Sequence, residues 1–228
     1  MTVITQRAER LLLRLYYLLW QRHRHQRLTL EHIAGFDLLV LPEVMNPRIF
    51  RSGEYFARVL LAKGLIPTNS QVLDMGTGSG ITALVAAQRA ARVVAVDINP
   101  AAVRCAQLNV LLNGVENRVD VLRGDLFGPI TDETFDLALF NPPYFRGIPA
   151  PGFDQAWRSE NTVERFAKGL HNHLRPGGSA LLVLSNHSDS DAFLHAFETH
   201  SYRCEKIAGR RLLAEALTVY RFSKTEKE

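Results

Sequence analysis

The first segment with the residue types for ligand chemistry is Asp74 to Gly80, where the chain runs Asp-Met-Gly-Thr-Gly-Ser-Gly after an apolar stretch. Glycine lets a backbone turn sharply and approach a ligand where a side chain would collide. Asp97 ends the next apolar stretch, 21 positions after Gly76. At that spacing a carboxylate can accept hydrogen bonds from both hydroxyls of a ribose. The pattern therefore indicates a nucleotide-like cofactor.

Two details separate this loop from the dinucleotide-binding pattern. Its spacing is GxGxG with Ile81 where a third glycine of GxGxxG would fall, and Asp74 precedes it. Gly124-Asp125-Leu126-Phe127 adds a second acid that can accept a proton from an adenine amino group, with apolar neighbours for the ring. Ordinary turns at strand ends are the alternative interpretation, which the three features together disfavour.

The tetrapeptide Asn141-Pro142-Pro143-Tyr144 follows the apolar run 135–140. An amide or aryl amine is a poor nucleophile because its lone pair is delocalised. If the Asn141 side-chain oxygen and the Pro142 carbonyl both accept protons from that nitrogen, it is oriented for attack. The prolines stiffen the loop, and Tyr144 can stack on a planar acceptor. Catalysis would then depend on positioning and electrostatics. The alternative interpretation of the tetrapeptide is a rigid turn with a purely structural role.

Together these motifs resemble the class I S-adenosylmethionine-dependent methyltransferases that alkylate nitrogen, especially the HemK-like release-factor glutamine methyltransferase branch. The resemblance covers about residues 48–223, and Asn-Pro-Pro-Tyr is its most specific part. It implies S-adenosylmethionine as cofactor and S-adenosylhomocysteine as product. The residues implied to contact the cofactor are Asp74 at its amino group, Gly76, Thr77, Gly78 and Gly80 along the methionine and ribose, Asp97 and Ile98 at the ribose, Asp125 and Leu126 at the adenine, and Asn141 beside the target nitrogen.

From residue 71 onward, short apolar runs alternate with helical patterns, which predicts an α/β fold with a mostly parallel sheet covered on both faces. Only about nine residues separate the last two strands, so they should form an antiparallel hairpin. The resemblance implies a Rossmann-like, doubly wound, seven-stranded sheet of order 3-2-1-4-5-7-6 with an antiparallel last strand. Predicted strands are 71–75, 92–96, 118–122, 135–140, 180–184, 204–207 and 217–222, and predicted helices are 53–65, 81–90, 101–113, 162–174 and 191–200.

The N-terminal part differs in charge from the rest. Residues 1–30 carry six arginines and one glutamate, so a chain of net charge +4 consists of a +5 segment and a remainder of −1. Arginine and leucine periodicity predicts one amphipathic helix there. We therefore expect a helical extension with a short strand over 1–45 and a methyltransferase domain over 46–228. The basic stripe either steers RNA or an acidic protein, or is the solvated face of a docked helix.

Composition and residue spacing narrow the class of protein to which the chain can belong. With 46% hydrophobic and 22% charged residues the 228-residue chain matches one globular domain. The ten-residue apolar run 11–20 is too short to span a membrane, Cys105 and Cys204 lack metal or disulfide spacing, and the histidine pairs are spaced i,i+2. These features predict a cytoplasmic protein without a membrane span or a metal, and a core position for Cys105.

Two further segments are candidates for ligand contact. Residues 145–158, rich in proline, glycine and aromatics, either grip the substrate or form a surface loop anchored by aromatics. Arg48, Arg51 and Ser52 either close over the cofactor's carboxylate or begin a solvated helix. Release-factor enzymes carry a helical N-terminal domain that is larger than the segment 1–45 of this chain. This difference argues against a release factor as the substrate.

The resemblance implies N-methylation of a planar amide or amine. A protein glutamine side chain is the leading acceptor. The first alternative is an exocyclic amine of adenine or guanine in tRNA or rRNA, followed by a small-molecule amine. A non-catalytic cofactor-binding partner is an alternative of another class, which an intact Asn141 disfavours. The partner expected is thus a protein or RNA substrate.

Overall fold

The computed structural model describes residues 27–148, 158–211 and 215–225. The predicted N-terminal helix and most of the segment 145–158 lie outside the described residues. No helix among the described residues is long and apolar enough to cross a membrane. The strands are β1 (Thr29–Ile33), β2 (Phe36–Val40), β3 (Gln71–Met75), β4 (Arg92–Asp97), β5 (Val119–Arg123), β6 (Phe135–Phe140), β7 (Phe145–Arg146), β8 (Arg158–Ser159), β9 (Leu174–Ser185), β10 (Tyr202–Arg211) and β11 (Ala216–Lys224). The α-helices are α1 (Pro47–Phe50), α2 (Ser52–Ala62), α3 (Ile81–Ala87), α4 (Pro100–Leu112), α5 (Thr162–His173) and α6 (Ser190–Glu198).

The central sheet has seven strands in the order β5-β4-β3-β6-β9-β11-β10. Counted along the chain, this is the predicted order 3-2-1-4-5-7-6. The first five strands pair in parallel, and β11 runs antiparallel to both β9 and β10. The predicted antiparallel last strand and hairpin are confirmed. Because the carboxyl ends of β3, β4 and β6 lie side by side, the loops that follow them share one edge of the sheet.

Helices cover both faces of the sheet, as predicted. On one face α2, α3 and α4 bury large apolar side chains such as Phe56 and Leu84 against the sheet. On the other face α5 and α6 bury Phe166 and Phe197, and the Phe197 ring stacks on Phe222 of β11 at 3.8 Å between centroids. Cys105 of α4 is fully buried in the first of these cores, and burial raises the pKa of its thiol to about 11. Its predicted core position is confirmed.

The sequence predicts one short strand within residues 1–45, whereas the structure has a hairpin of two strands there, β1 and β2. Its turn residues Ala34 and Gly35 both have positive φ, 55° and 89°. Such turns usually carry Asn-Gly or Asp-Gly, so Ala-Gly gives little signal in the sequence. The hairpin's apolar face, including Ile33 and Leu38, joins the same core as the helices. The predicted boundary at residues 45 and 46 therefore falls between elements that share one core.

Two other local predictions need correction. Strand β9 begins at Leu174, not at Ala180, although Pro176-Gly177-Gly178 favours a turn. A Cβ on Gly178 would lie 3.1 Å from the Phe135 carbonyl oxygen, so glycine lets the chain continue against β6. The spacing of Asn161 and Glu164 predicts a capping pair at the start of α5. Asn161 does lie at the N-cap, but its side chain makes no capping hydrogen bond. The Thr162 backbone N–H donates to Ser159 Oγ instead, at 3.2 Å.

Asn109, fully buried on α4, links three separate parts of the fold. Its Oδ1 accepts from the Leu39 backbone N–H at 2.7 Å, and its Nδ2 donates to the Leu39 and Ser79 carbonyl oxygens, both at 2.8 Å. The side chain thus ties β2 and the glycine loop to the same helix. A buried amide with all these partners is costly to remove, because buried backbone groups such as the Leu39 N–H then lose a hydrogen bond.

We expect Asn109→Ala to lower the free energy of unfolding by about 2 to 4 kcal/mol, since it leaves buried backbone groups unpaired. Asn113, one turn further along, is the matched control because its Nδ2 donates to the Asp37 carbonyl oxygen at an exposed position, 2.9 Å away. Asn113→Ala should cost under about 1 kcal/mol. Urea denaturation followed by circular dichroism measures both, and equal losses would contradict the linking role of Asn109.

Candidate active site

A cavity of about 320 Å³ opens at the carboxyl ends of β3, β4 and β6. This volume lies in the range of small-ligand pockets, and the position is where doubly wound sheets bind ligands. The structure brings most of the predicted site residues to its wall. Those lining the cavity are Gly76, Thr77, Gly78, Asp97, Ile98, Asp125, Leu126 and Asn141. Four predicted site residues are not among the described residues that form the wall: Asp74, Gly80, Pro142 and Tyr144.

The three glycines of the loop after β3 have positive φ, but they serve different contacts. A Cβ on Gly78 would meet no atom closer than 4.0 Å, so its backbone faces open space at the cavity. A Cβ on Gly80 would lie 3.3 Å from the Ala106 backbone. Gly80 therefore lets the loop pack against α4, and it lies outside the described residues of the cavity wall.

Asp74 lies beneath the loop and is 2% exposed. Its Oδ2 accepts from Thr77 Oγ1 at 2.6 Å, and its Oδ1 accepts from Thr82 Oγ1 at 2.7 Å. Burial raises the pKa of this carboxyl to about 6, and the nearby Asp97 charge adds to the rise, while the threonine hydrogen bonds oppose it. Asp74 holds the loop to the start of α3, which differs from the predicted contact with a cofactor's amino group.

Asp97, at the end of β4, has its carboxylate at the cavity wall. Its Oδ2 accepts from the Gly78 backbone N–H and its Oδ1 from the Asn99 backbone N–H, both at 2.9 Å. Burial raises its pKa, and these hydrogen bonds oppose the rise. Each carboxylate oxygen has more than one lone pair, so both can still accept from a ligand. The carboxylate is thereby fixed in a geometry suited to a diol.

The turn after β5 forms another part of the wall. Leu126 has φ 50°, a left-handed conformation that is unusual for a bulky side chain. Its neighbour Asp125 pairs with Arg165 of α5 at 2.7 Å. Behind the turn, Phe127 stacks on the imidazole of His173 with 4.4 Å between ring centroids. A Cβ on Gly169 would lie 2.5 Å from Phe127, so the helix accepts this ring only because glycine stands there.

Asn141, directly after β6, has both ends of its side-chain amide engaged. Its Nδ2 donates to Ser52 Oγ at 3.1 Å, and its Oδ1 accepts from the Tyr144 hydroxyl at 3.2 Å. Tyr144 was predicted to stack on a planar acceptor, but the structure directs its hydroxyl to Asn141. Pro143 is the loop proline that lines the cavity.

The predicted cluster of Arg48, Arg51 and Ser52 is divided among different contacts. Arg48 pairs with Glu54 at 3.0 Å, and Ser52 is buried against Asn141. Arg51 forms the turn between α1 and α2 with φ 58° and is not among the described residues of the wall. No common site for a carboxylate is formed by the three.

Sequence reasoning missed the part of the wall that comes from α5 and the loop before it. Parallel pairing of β7 with β8 brings Ser159 to the cavity, and Arg165 follows on the first turns of the helix. No short motif marks these residues. The long segment between the two strands also separates them in sequence from the Asn-Pro-Pro-Tyr loop, so their place beside it cannot be inferred from spacing. Glu43 and Phe50 also line the cavity without a motif. Within the described ranges, no three His, Cys, Asp or Glu side chains are grouped so as to hold a metal ion.

Known proteins are similar to this chain in sequence and in fold. The family model described as "Methyltransferase small domain" matches residues 55–210. A Methanocaldococcus jannaschii protein provisionally named protein N5-glutamine methyltransferase is 30% identical over 82% of this chain and 95% of its own length. The tRNA1(Val) (adenine(37)-N6)-methyltransferase of Bacteroides thetaiotaomicron is 30% identical over 60% of this chain and 61% of its length.

A solved structure, the 16S rRNA N2 G1207 methyltransferase of T. thermophilus in complex with AdoMet and guanosine, superposes with a TM-score of 0.65 at 23% identity. The match covers 87% of this chain and 50% of that one, and it shows the shared fold. The chain spans 39% to 63% of the length of four relatives named ribosomal protein uL3 or release factor glutamine methyltransferase.

The raised pKa of Asp74 predicts a pH dependence of stability. Below about pH 4 the carboxyl is protonated in both the folded and the unfolded state. Between about pH 4 and 6 only the unfolded state loses the proton, so stability falls as the pH rises and levels off above about 6. Asp74→Asn removes this titration, so the free-energy difference between wild type and variant should change by about 3 kcal/mol from pH 4 to 7.

Urea denaturation across that pH range measures the effect, with Asp132→Asn at an exposed acid as the control. A wild-type minus Asp74→Asn difference that stays constant with pH would show that the carboxyl titrates normally in the folded protein.

Proposed function

Because the chain belongs to the methyltransferase small domain family, we propose that it transfers a methyl group from S-adenosylmethionine to a planar amide nitrogen, with a protein glutamine side chain as acceptor. The observation that carries the proposal is the setting of Asn141. Its amide lies at the wall of the cavity that also contains the glycine loop, and neighbours fix both of its ends. A fixed amide oxygen at this position is suited to accept an N–H from an acceptor group.

The cavity fits the proposed cofactor by the chemistry of its wall. The carboxylate of Asp97 is held by two backbone N–H groups and retains lone pairs for the two ribose hydroxyls. Gly78 leaves open space beside it for the backbone to approach the ligand. Asp125 supplies an acceptor for an adenine amino group, and Leu126 an apolar contact for the ring. These residues would hold S-adenosylmethionine, while Asp74 would act indirectly by holding the loop.

When bound, S-adenosylmethionine supplies a methyl group on a sulfonium that departs as a neutral thioether. The chain's own residues must then orient the nucleophile. Asn141 Oδ1 accepts one N–H of the acceptor, which turns the lone pair of that nitrogen toward the methyl carbon. The N–C bond forms as the S–C bond breaks with its electrons on sulfur, and the surplus proton leaves the nitrogen for water. This is catalysis by position and by fixed dipoles, without a strong base.

Glutamine is favoured over other acceptors by the relatives. The relative of which the chain spans 95% carries a protein N5-glutamine methyltransferase name, and further relatives are named for glutamine in ribosomal protein uL3 and in release factors. The second candidate is the exocyclic amine of an adenine in tRNA, supported by the tRNA adenine-N6 relative. Its nitrogen has the same delocalised lone pair and needs the same orientation by Asn141.

Substitutions of Asn141 and Asp97 should affect different quantities, methyl transfer for Asn141 and cofactor affinity for Asp97. We expect Asn141→Ala to lower methyl transfer at least about 100-fold while S-adenosylmethionine affinity stays within about twofold, because its oxygen is directed to the acceptor. Asp97→Ala should weaken cofactor binding by about 10-fold or more, because it removes charged acceptors from both ribose hydroxyls. Calorimetry measures binding, and transfer of a tritiated methyl group measures turnover.

The matched controls are Asn117→Ala and Asp132→Ala, at exposed positions outside the cavity wall. Full turnover by Asn141→Ala would refute the acceptor site, and unchanged affinity of Asp97→Ala would refute the ribose contact. Wild-type protein that binds no S-adenosylmethionine would refute the proposed function as a whole.

The acceptor class is tested by incubating the protein with tritiated S-adenosylmethionine and a cell lysate, with and without RNase. Purified release factor and purified ribosomal protein uL3 are assayed in parallel. If glutamine is the acceptor, label persists after RNase and mass spectrometry finds it on a glutamine side chain. Label that disappears with RNase would exclude glutamine and support the tRNA alternative.

A further inference from the structure

The side chain that holds the Asn141 Nδ2 belongs to a distant part of the chain. Ser52 lies 89 positions earlier, is 2% exposed, and is the first residue of α2. Helix α2 packs beside α3 and against the sheet, so it is a rigid support. The acceptor loop itself contains two prolines and offers few donors or acceptors of its own. The Nδ2 end of the Asn141 amide is thus held from outside the loop, while Tyr144 within the loop holds the Oδ1 end.

The backbone before Ser52 is tightly constrained. Arg51 has φ 58°, and its N–H donates to the Pro47 carbonyl oxygen at 3.1 Å. A Cβ on Gly53 would lie 3.0 Å from the Pro47 Cβ, so the two short segments are in close contact. Asn46 caps α1 and also donates from Nδ2 to Glu31 Oε1 of β1 at 2.9 Å. These contacts leave Ser52 little freedom to move away from Asn141.

Two hydrogen bonds hold the two ends of the Asn141 side-chain amide. Asn141 Nδ2 donates to Ser52 Oγ, and the Tyr144 hydroxyl donates to Asn141 Oδ1. Burial raises the pKa of Tyr144, a hydrogen bond from Ser52 opposes this, and the charge of Glu215 adds to the rise. Tyr144 therefore remains a neutral donor at ordinary pH. Hydrogen bonds linked in this way strengthen one another.

We propose that Ser52 is a positioning residue for the acceptor site: with Tyr144 it locks the orientation of the Asn141 amide so that the free lone pair of Oδ1 is presented to the acceptor N–H. The inference rests on the proposed function, since it concerns the same amide. Without Ser52, the Nδ2 end of the Asn141 amide is released, and only the Tyr144 hydroxyl still holds the side chain. The amide can then rotate about its terminal torsion, which has a broad energy minimum.

The expected kinetic effect is specific to turnover. Ser52→Ala should lower methyl transfer into RNase-treated lysate protein about 10-fold at saturating S-adenosylmethionine, with cofactor affinity within about twofold. Ser52→Thr keeps the hydroxyl and should restore most of the rate. Tyr144→Phe should cost a similar factor, and the double variant should lose much less than the product of the two, because both residues act on the same Asn141 amide.

A buried serine elsewhere provides the matched control. Ser70 is 4% exposed, donates to the Pro67 carbonyl oxygen at 2.7 Å, and does not line the cavity. Ser70→Ala should reduce stability without lowering turnover. Full turnover by Ser52→Ala, while Asn141→Ala is inactive, would overturn the inference and leave the proposed function intact. A rate loss that Ser52→Thr does not restore would also overturn it, if that variant unfolds like wild type.

A second measurement does not depend on activity. The side-chain amide resonance of Asn141 is identified in an ¹⁵N spectrum by its loss in Asn141→Asp. Ser52→Ala should shift it and speed its exchange with water, whereas Ser70→Ala should not. An unmoved resonance would overturn the inference. If wild-type protein transferred no methyl group but the resonance moved, the proposed function would fail while Ser52 would stand as the residue that orients Asn141.

Discussion

The parallel pairing of β3 with both β4 and β6 is the constraint on which the rest of the site depends. Met75, the last residue of β3, lies opposite Val96 on one side and Phe140 on the other. The residues that come next along the three chains, Gly76, Asp97 and Asn141, therefore lie at one level. A shift in either register would separate the glycine loop from its carboxylate or from the acceptor loop. Hydrogen bonds between strands thus set the distances that the chemistry needs.

Buried polar side chains then fix the loops that leave the sheet. Asp74 receives two threonine hydroxyls beneath the glycine loop, and Asp97 receives the Gly78 N–H from within it. Asn109 holds the Ser79 carbonyl oxygen from α4. Burying such groups is unfavourable unless each is fully hydrogen-bonded, so together they allow few loop conformations. The raised pKa of Asp74 is the electrostatic cost of this arrangement.

The acceptor side is organised differently. Its loop is stiffened by prolines, and the orientation of Asn141 comes from Ser52 on a helix that precedes the sheet. The Leu126 turn is likewise supported from another element, through Phe127 packed against α5. Both sides of the cavity therefore depend on elements remote in the chain. Substitutions that appear distant from the cavity in sequence can for this reason alter turnover.

The sequence by itself determined the alternation of strands and helices, the helices on both faces and the three loops that carry Gly78, Asp97 and Asn141, because apolar periodicity and short motifs are local properties. The strand order followed from the family resemblance of those motifs. Gly78, Asp97 and Asn141 are identifiable since each lies at or just after the end of a strand that pairs in parallel. Only the tertiary structure decided that Gly80 packs on Ala106, that Asp74 is turned to two threonines, and that the Tyr144 hydroxyl meets Asn141. It also brought Ser52 and Arg165 to the site. These contacts depend on how helices pack across the sheet, and no spacing along the chain encodes that geometry.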